Sequence, residues 1–133
     1  MSIEEVNLLF QRARNFLDSS KDRLDKKDWD LTCFLSEQAL QLYLKATILE
    51  LKGDVPKTYS LRKLIALINQ ISEVKINVDR NSLLFLESSY LNAREINFIY
   101  EKEDAENALN ITEEVINKIE DIRRNYKFGF KKS

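Results

Sequence analysis

The chain of 133 residues carries 21 basic and 22 acidic side chains, a net charge of -1 and no histidine. With a pI near 5.6 it has no global field to draw it onto nucleic acid or an anionic membrane, so any such contact must come from a local patch. The missing histidines exclude Ser-His-Asp and Cys-His nucleophilic systems and histidine acid–base catalysis, and with one cysteine they exclude zinc and most transition-metal sites.

The length fits one domain, read here as residues 1–133 with a short basic tail over about 123–133. Two glycines and one proline leave few chain breakers, which favours a small number of long helices. Met1–Glu5 is acidic, unlike the basic start of a signal peptide, and no apolar run approaches the ~18 residues of a membrane span. The expectation is a cytoplasmic protein that does not engage a membrane.

Taken in chain order, Ile3, Val6, Phe10, Ala13, Leu17 and Leu24 recur at helical spacing and predict a first helix over about residues 3–26. Asp28 is placed to cap a second helix over about 29–51, closed by Gly53. This helix is apolar over a wide arc (Leu31, Phe34, Leu35, Ala39, Leu42, Tyr43, Ala46, Leu49), which predicts a central position covered on several sides. Cys33 lies within that arc and reads as a small buried hydrophobe.

Gly53–Thr58 is the clear loop, and Ser60 can cap a shorter helix through Ile71. Glu73–Val78 reads as a connection, although its Val74, Ile76, Val78 alternation is also compatible with a short extended piece. A fourth helix follows over about 80–97, with Leu83, Leu86, Tyr90 and Ala93 on one face. A fifth runs over about 103–126 after an acidic start at Glu101–Glu106, with Glu114–Lys118 and Glu120–Arg124 at the favourable i,i+4 spacing. The fold class expected is all-α: an up-and-down bundle of four long helices and one short helix.

There is no glycine-rich phosphate loop, and no carboxylate pair sits in a sequence context that suggests acid–base tuning. No catalytic residue, metal site or cofactor is therefore assigned. Two segments have chemical potential. Tyr90–Tyr100 brings Arg94, Glu95 and two tyrosines to a helix end, where arginine can clamp phosphate and tyrosine can stack on a base. The residues by themselves favour a structural role, with Arg94 paired to an acid and the tyrosines packed with their polar tips outward. The tail from Arg123 interleaves basic residues with Tyr126, Phe128 and Phe130, a pattern that suits single-stranded nucleic acid, a frayed terminus or an arm on a partner.

The order of these motifs resembles the HEPN domain family, the helical family named for nucleotide binding in higher eukaryotes and prokaryotes. Cys33–Ala39 followed by Leu44-Lys45-Ala46 is similar to the family's F-x-x-[EQ]-Q-A … L-K-A stretch. Gly53 to Leu64 is similar to its G … P-x-[ST]-H-x-L-x-x-L segment, with Tyr59 where the family often has histidine. Tyr90, Ala93 and Arg94, then Tyr100, Asp104, Ala105 and Ala108, are similar to its Y-x-x-A-R … Y … A ending. The resemblance implies a bundle that pairs as a homodimer, often beside a minimal nucleotidyltransferase as a toxin–antitoxin pair.

Active members are metal-independent ribonucleases with an arginine, a polar residue and, a few positions on, a histidine. Arg94 and Glu95 match the first two, but Ile99, Tyr100 and Glu101 occupy the place of the histidine. Tyrosine, with an unperturbed pKa of about 10, does not titrate near neutrality. The resemblance thus implies non-catalytic binding of a nucleotide, RNA or a nucleotidyltransferase, with Arg94, Glu95, Tyr100, Tyr90, Tyr59 and Lys45 as candidate ligand-binding residues. A weak ribonuclease using Arg94 with Tyr100 and a purely structural helical adaptor are the alternatives.

Overall fold

The computed structural model describes residues 3–92, 95 and 98–132, with side chains through 125. It contains five helices: α1 (Ile3–Asp25), α2 (Trp29–Lys52), α3 (Leu61–Ser72), α4 (Arg80–Asn92) and α5 (Lys102–Lys132). The architecture is the all-α bundle that the pattern predicts.

Chain breaks are set by local chemistry. The backbone amides of Lys27 and Asp28 donate to Leu24 and Arg23, the paired bonds of a Schellman end, with Lys27 at a φ of 63°. Asp28 then caps α2, its Oδ1 accepting from the Leu31 amide at 3.3 Å. Gly53 closes α2 in the left-handed region at φ 95°, where a glycine carries no Cβ penalty, and donates to Leu49. Ser60 caps α3 as expected, and Asp104 caps the start of α5 by accepting from the Glu101 amide at 2.9 Å.

The second helix is the hub. It packs against α1, α3, α4 and α5, which is why its apolar arc is so wide. Phe10, Leu40, Leu44, Ile48, Leu64, Ile68, Leu86, Val115 and Ile119 meet in one continuous core. Ser20, Thr32, Ser36 and Thr112 form a buried polar seam within it: Ser20 Oγ bonds Ser36 Oγ at 2.6 Å, and Thr112 Oγ1 donates to the Ser36 carbonyl. Cys33 is fully buried, and burial, with smaller contributions from Asp104 and Asp30, pushes its thiol up to about 12.

Several boundaries differ from the sequence expectation. The fourth helix ends at Asn92 rather than near 97, so α4 is a short helix of 13 residues. Beyond it the Glu95 amide closes a tight turn on the Asn92 carbonyl, three residues back, in place of a helical i to i−4 bond. The basic tail continues α5 as helix through Lys132. The Val74–Val78 alternation is an irregular connection, because Ile76 turns inward and its amide is bound by Asn69 Oδ1 at 2.9 Å. Lys118 pairs with Glu114 as expected, whereas Glu120 pairs with Arg123 and Arg124 with Asp121. No helix among the described residues is long and apolar enough to cross a membrane.

Candidate functional site

The face of α2 that meets α4 carries Phe34, Glu37, Gln38, Gln41 and Lys45, spaced so that a helix aligns them. Across from it, α4 contributes Glu87 and Tyr90, and the segment before α3 contributes Tyr59. Three aromatic rings form a near-parallel ladder. Phe34 stacks on Tyr90 with centroids 6.3 Å apart, and Tyr90 stacks on Tyr59 at 5.9 Å with planes only 11° apart. The Lys45 ammonium lies 4.9 Å from the Tyr59 ring centroid, within cation–π range. Phe34 and Tyr90 are half-buried and Tyr59 is 67% exposed, so the ladder opens to the surface at Tyr59.

Beneath the ladder lies a polar string along α2. Lys45 Nζ donates to Gln41 Oε1 at 3.3 Å, Gln41 Nε2 donates to Glu37 Oε2 at 3.0 Å, and Gln38 Nε2 donates to Glu37 Oε1 at 2.7 Å. Glu37 is 1% exposed. Burial pushes its carboxyl up to about 7, against the hydrogen bonds from Gln38 and Gln41, and the nearby Glu87 charge adds to the rise. Burial also holds Lys45 below the ordinary lysine range, partly offset by Glu37.

Glu87 anchors the other wall. It accepts from Ser60 Oγ at 3.1 Å, from the Arg62 amide at 3.0 Å and from Arg62 Nε at 3.2 Å, and it forms an ion pair with Arg62 Nη2. Burial raises its pKa, but the Arg62 and Ser60 hydrogen bonds outweigh this and bring its carboxyl below the ordinary glutamate value. The carboxylate thereby pins the first turn of α3, and with it the adjoining Tyr59, to α4.

The structure brings together three of the sequence-derived candidates: Lys45, Tyr59 and Tyr90. Tyr100 makes a separate set of contacts. It is 3% exposed, its ring edge-packed with Phe85 and Phe98, and its hydroxyl donates to Ser89 and accepts from Asn92. Its backbone amide donates to Asp30 Oδ1 at 2.8 Å, so this residue ties the α4–α5 connection to the start of α2. Glu95 is exposed in the same connection, and Arg94 lies outside the described residues.

Sequence reasoning missed Glu37, Gln41 and Glu87 as parts of this site. A signal existed for the first two: three polar residues at four-residue steps (37, 41, 45) on a helix otherwise apolar over a wide arc. Glu87 had none, because its role arises only when α3 and α4 meet. Among the described residues no three histidine, cysteine, aspartate or glutamate side chains are grouped to hold a metal ion.

The comparisons agree with this architecture. The fold is similar to that of TT1696 from Thermus thermophilus, with a TM-score of 0.73, 21% identity, and coverage of 88% of this chain and 97% of that one. It is similar as well to ST0689, an archaeal HEPN homologue, with a TM-score of 0.62, 19% identity, and coverage of 86% and 94%. No curated protein matches the chain. The family model of the HEPN domain matches residues 6–122, nearly the whole bundle, and the chain belongs to the HEPN domain family.

Proposed function

We propose that this HEPN domain binds a nucleotide or a short single-stranded RNA without cleaving it, with a base stacked beside Tyr59 and Tyr90 and a phosphate held by Lys45. The observation that carries this reading is the near-parallel Tyr59–Tyr90 pair reaching the surface with an ammonium beside it. Aromatic faces accept any base, at about 1–3 kcal/mol per stacked base, and a cation nearby supplies the phosphate contact. Arg94, four residues beyond Tyr90 in the sequence, is proposed as a second phosphate ligand oriented by Glu95, on the strength of sequence position alone. Homodimerisation and pairing with a minimal nucleotidyltransferase in a toxin–antitoxin arrangement extend the proposal, supported by the family resemblance.

Binding without cleavage follows from the proton-transfer groups at hand. Cleavage at a 2′-hydroxyl needs a group that titrates near neutrality and reaches the substrate. Glu37 meets the first condition, but it is buried with both oxygens engaged by Gln38 and Gln41. The test is thermal unfolding of the wild type, Lys45→Ala and Tyr59→Leu against nucleotides and short single-stranded RNAs. Ligand at about 100 times its dissociation constant adds roughly 2.7 kcal/mol, a rise of several degrees for a domain of this size. A rise in the wild type that both variants lose is the expected result. An unmoved midpoint with every ligand would leave the helical adaptor as the better account.

A further inference from the structure

Glu37 is 1% exposed and Gln41 6%, so two members of the Glu37–Gln41–Lys45 string are buried polar groups on a helix whose other inward positions are mostly apolar. A carboxylate kept in the interior and linked through one amide to the cation of a surface site is arranged to sense that cation's charge. We propose that Glu37 sets the strength of anion binding at Lys45 through its proton: neutral Glu37 leaves the ammonium free to pair with a ligand phosphate, and ionised Glu37 competes for it. This regulation rests on the reading of Lys45 and Tyr59 as a phosphate- and base-binding site.

The geometry gives the coupling a route. Gln41 holds both ends at once, accepting from Lys45 at 3.3 Å and donating to Glu37 at 3.0 Å. Its amide cannot flip to suit one end without breaking the bond to the other, so the string is directional. Among the described residues, the remaining charges that face it come from α3 and α4. Glu87 and Arg62 are paired with each other, and this pair leaves a carboxylate charge that opposes ionisation of Glu37. The Glu37 midpoint of about 7, raised mainly by burial, places the switch within the range of ordinary cellular pH. Lys45 and Glu37 stabilise each other's charged forms, so an anion that takes up the Lys45 charge promotes proton uptake by Glu37.

Two measurements test this, one of which needs no ligand. Carbon-detected NMR titration of the Glu37 carboxyl in the wild type and in Lys45→Met is expected to show a higher midpoint in the variant. An unchanged midpoint would overturn the coupling. The second follows binding of tetra-adenylate lacking a terminal phosphate, whose phosphodiesters keep one charge each throughout the titration. Affinity is expected to fall about fivefold from about pH 6 to about pH 8 in the wild type and to stay level in Glu37→Gln. An equal fall in both proteins would overturn the proposal while leaving the binding site intact. Failure of the wild type to bind at any pH would overturn the site reading itself, and with it the regulation of the site.

Discussion

Ionising Glu37 inside the fold is opposed by burial, which places its midpoint at about 7 against a reference of 4.5. A group whose folded pKa is raised adds stability that is fully present below the unfolded value and lost as pH rises through the folded one. The domain is therefore expected to lose stability between about pH 4.5 and about pH 7, by something on the order of 3 kcal/mol from this residue. Glu37→Gln should remove that slope: urea denaturation at about pH 8 should find the variant more stable than the wild type, with the advantage shrinking by about pH 5. Parallel pH profiles for the two proteins would show that Glu37 does not titrate in this range. The sequence made Cys33 and the caps Asp28, Gly53 and Ser60 legible because each depends on near neighbours in the chain. The spacing of Glu37 with Gln41 and Lys45 was legible, but its burial was not, because that depends on how α4 packs on α2.

At the scale of elements, the first turn of α3 depends on Glu87. One carboxylate satisfies the Arg62 amide, the Arg62 guanidinium and the Ser60 hydroxyl, and it fixes the segment that presents Tyr59. Glu87→Ala is expected to lower stability by about 2–3 kcal/mol, since it leaves Arg62 and an α3 amide without their acceptor. Denaturation should register the loss, and Glu87→Gln, which keeps one acceptor, should recover part of it. A variant as stable as the wild type would show that α3 is held by its apolar face alone. Helix starts and the central place of α2 were readable from caps and periodicity. The end of α4 was not, because apolar spacing continues past Asn92 while the Glu95 amide turns back onto the Asn92 carbonyl.

Across the whole molecule, α5 is fastened to α1 and α2 by Arg123. Its guanidinium lies 3.7 Å from the Phe10 ring centroid, forks onto both Glu50 oxygens at 2.9 and 3.1 Å, and reaches the Tyr43 hydroxyl and Glu120. Removing one partner of such a covered pair leaves the other charge uncompensated. Arg123→Ala is therefore expected to cost about 3–5 kcal/mol in denaturation experiments. A loss below about 1 kcal/mol would place the pair in the class of solvated surface bridges.

The all-α bundle was legible from breakers and periodicity spread over the chain. The site was legible only as separate residues, since Lys45, Tyr59 and Tyr90 stand far apart in sequence and become one surface through the packing of α2, α3 and α4. The proposed function stands on a nucleobase stacking on this surface. The most direct measurement is the fluorescence of a short single-stranded RNA carrying 2-aminopurine, titrated with the wild type, Tyr59→Phe and Tyr59→Leu. Tyr59 is so exposed that neither change should disturb the fold. Saturable quenching is expected from the wild type and Tyr59→Phe, weakened at least about tenfold in Tyr59→Leu. Equal quenching by all three proteins, or none by any, would contradict it.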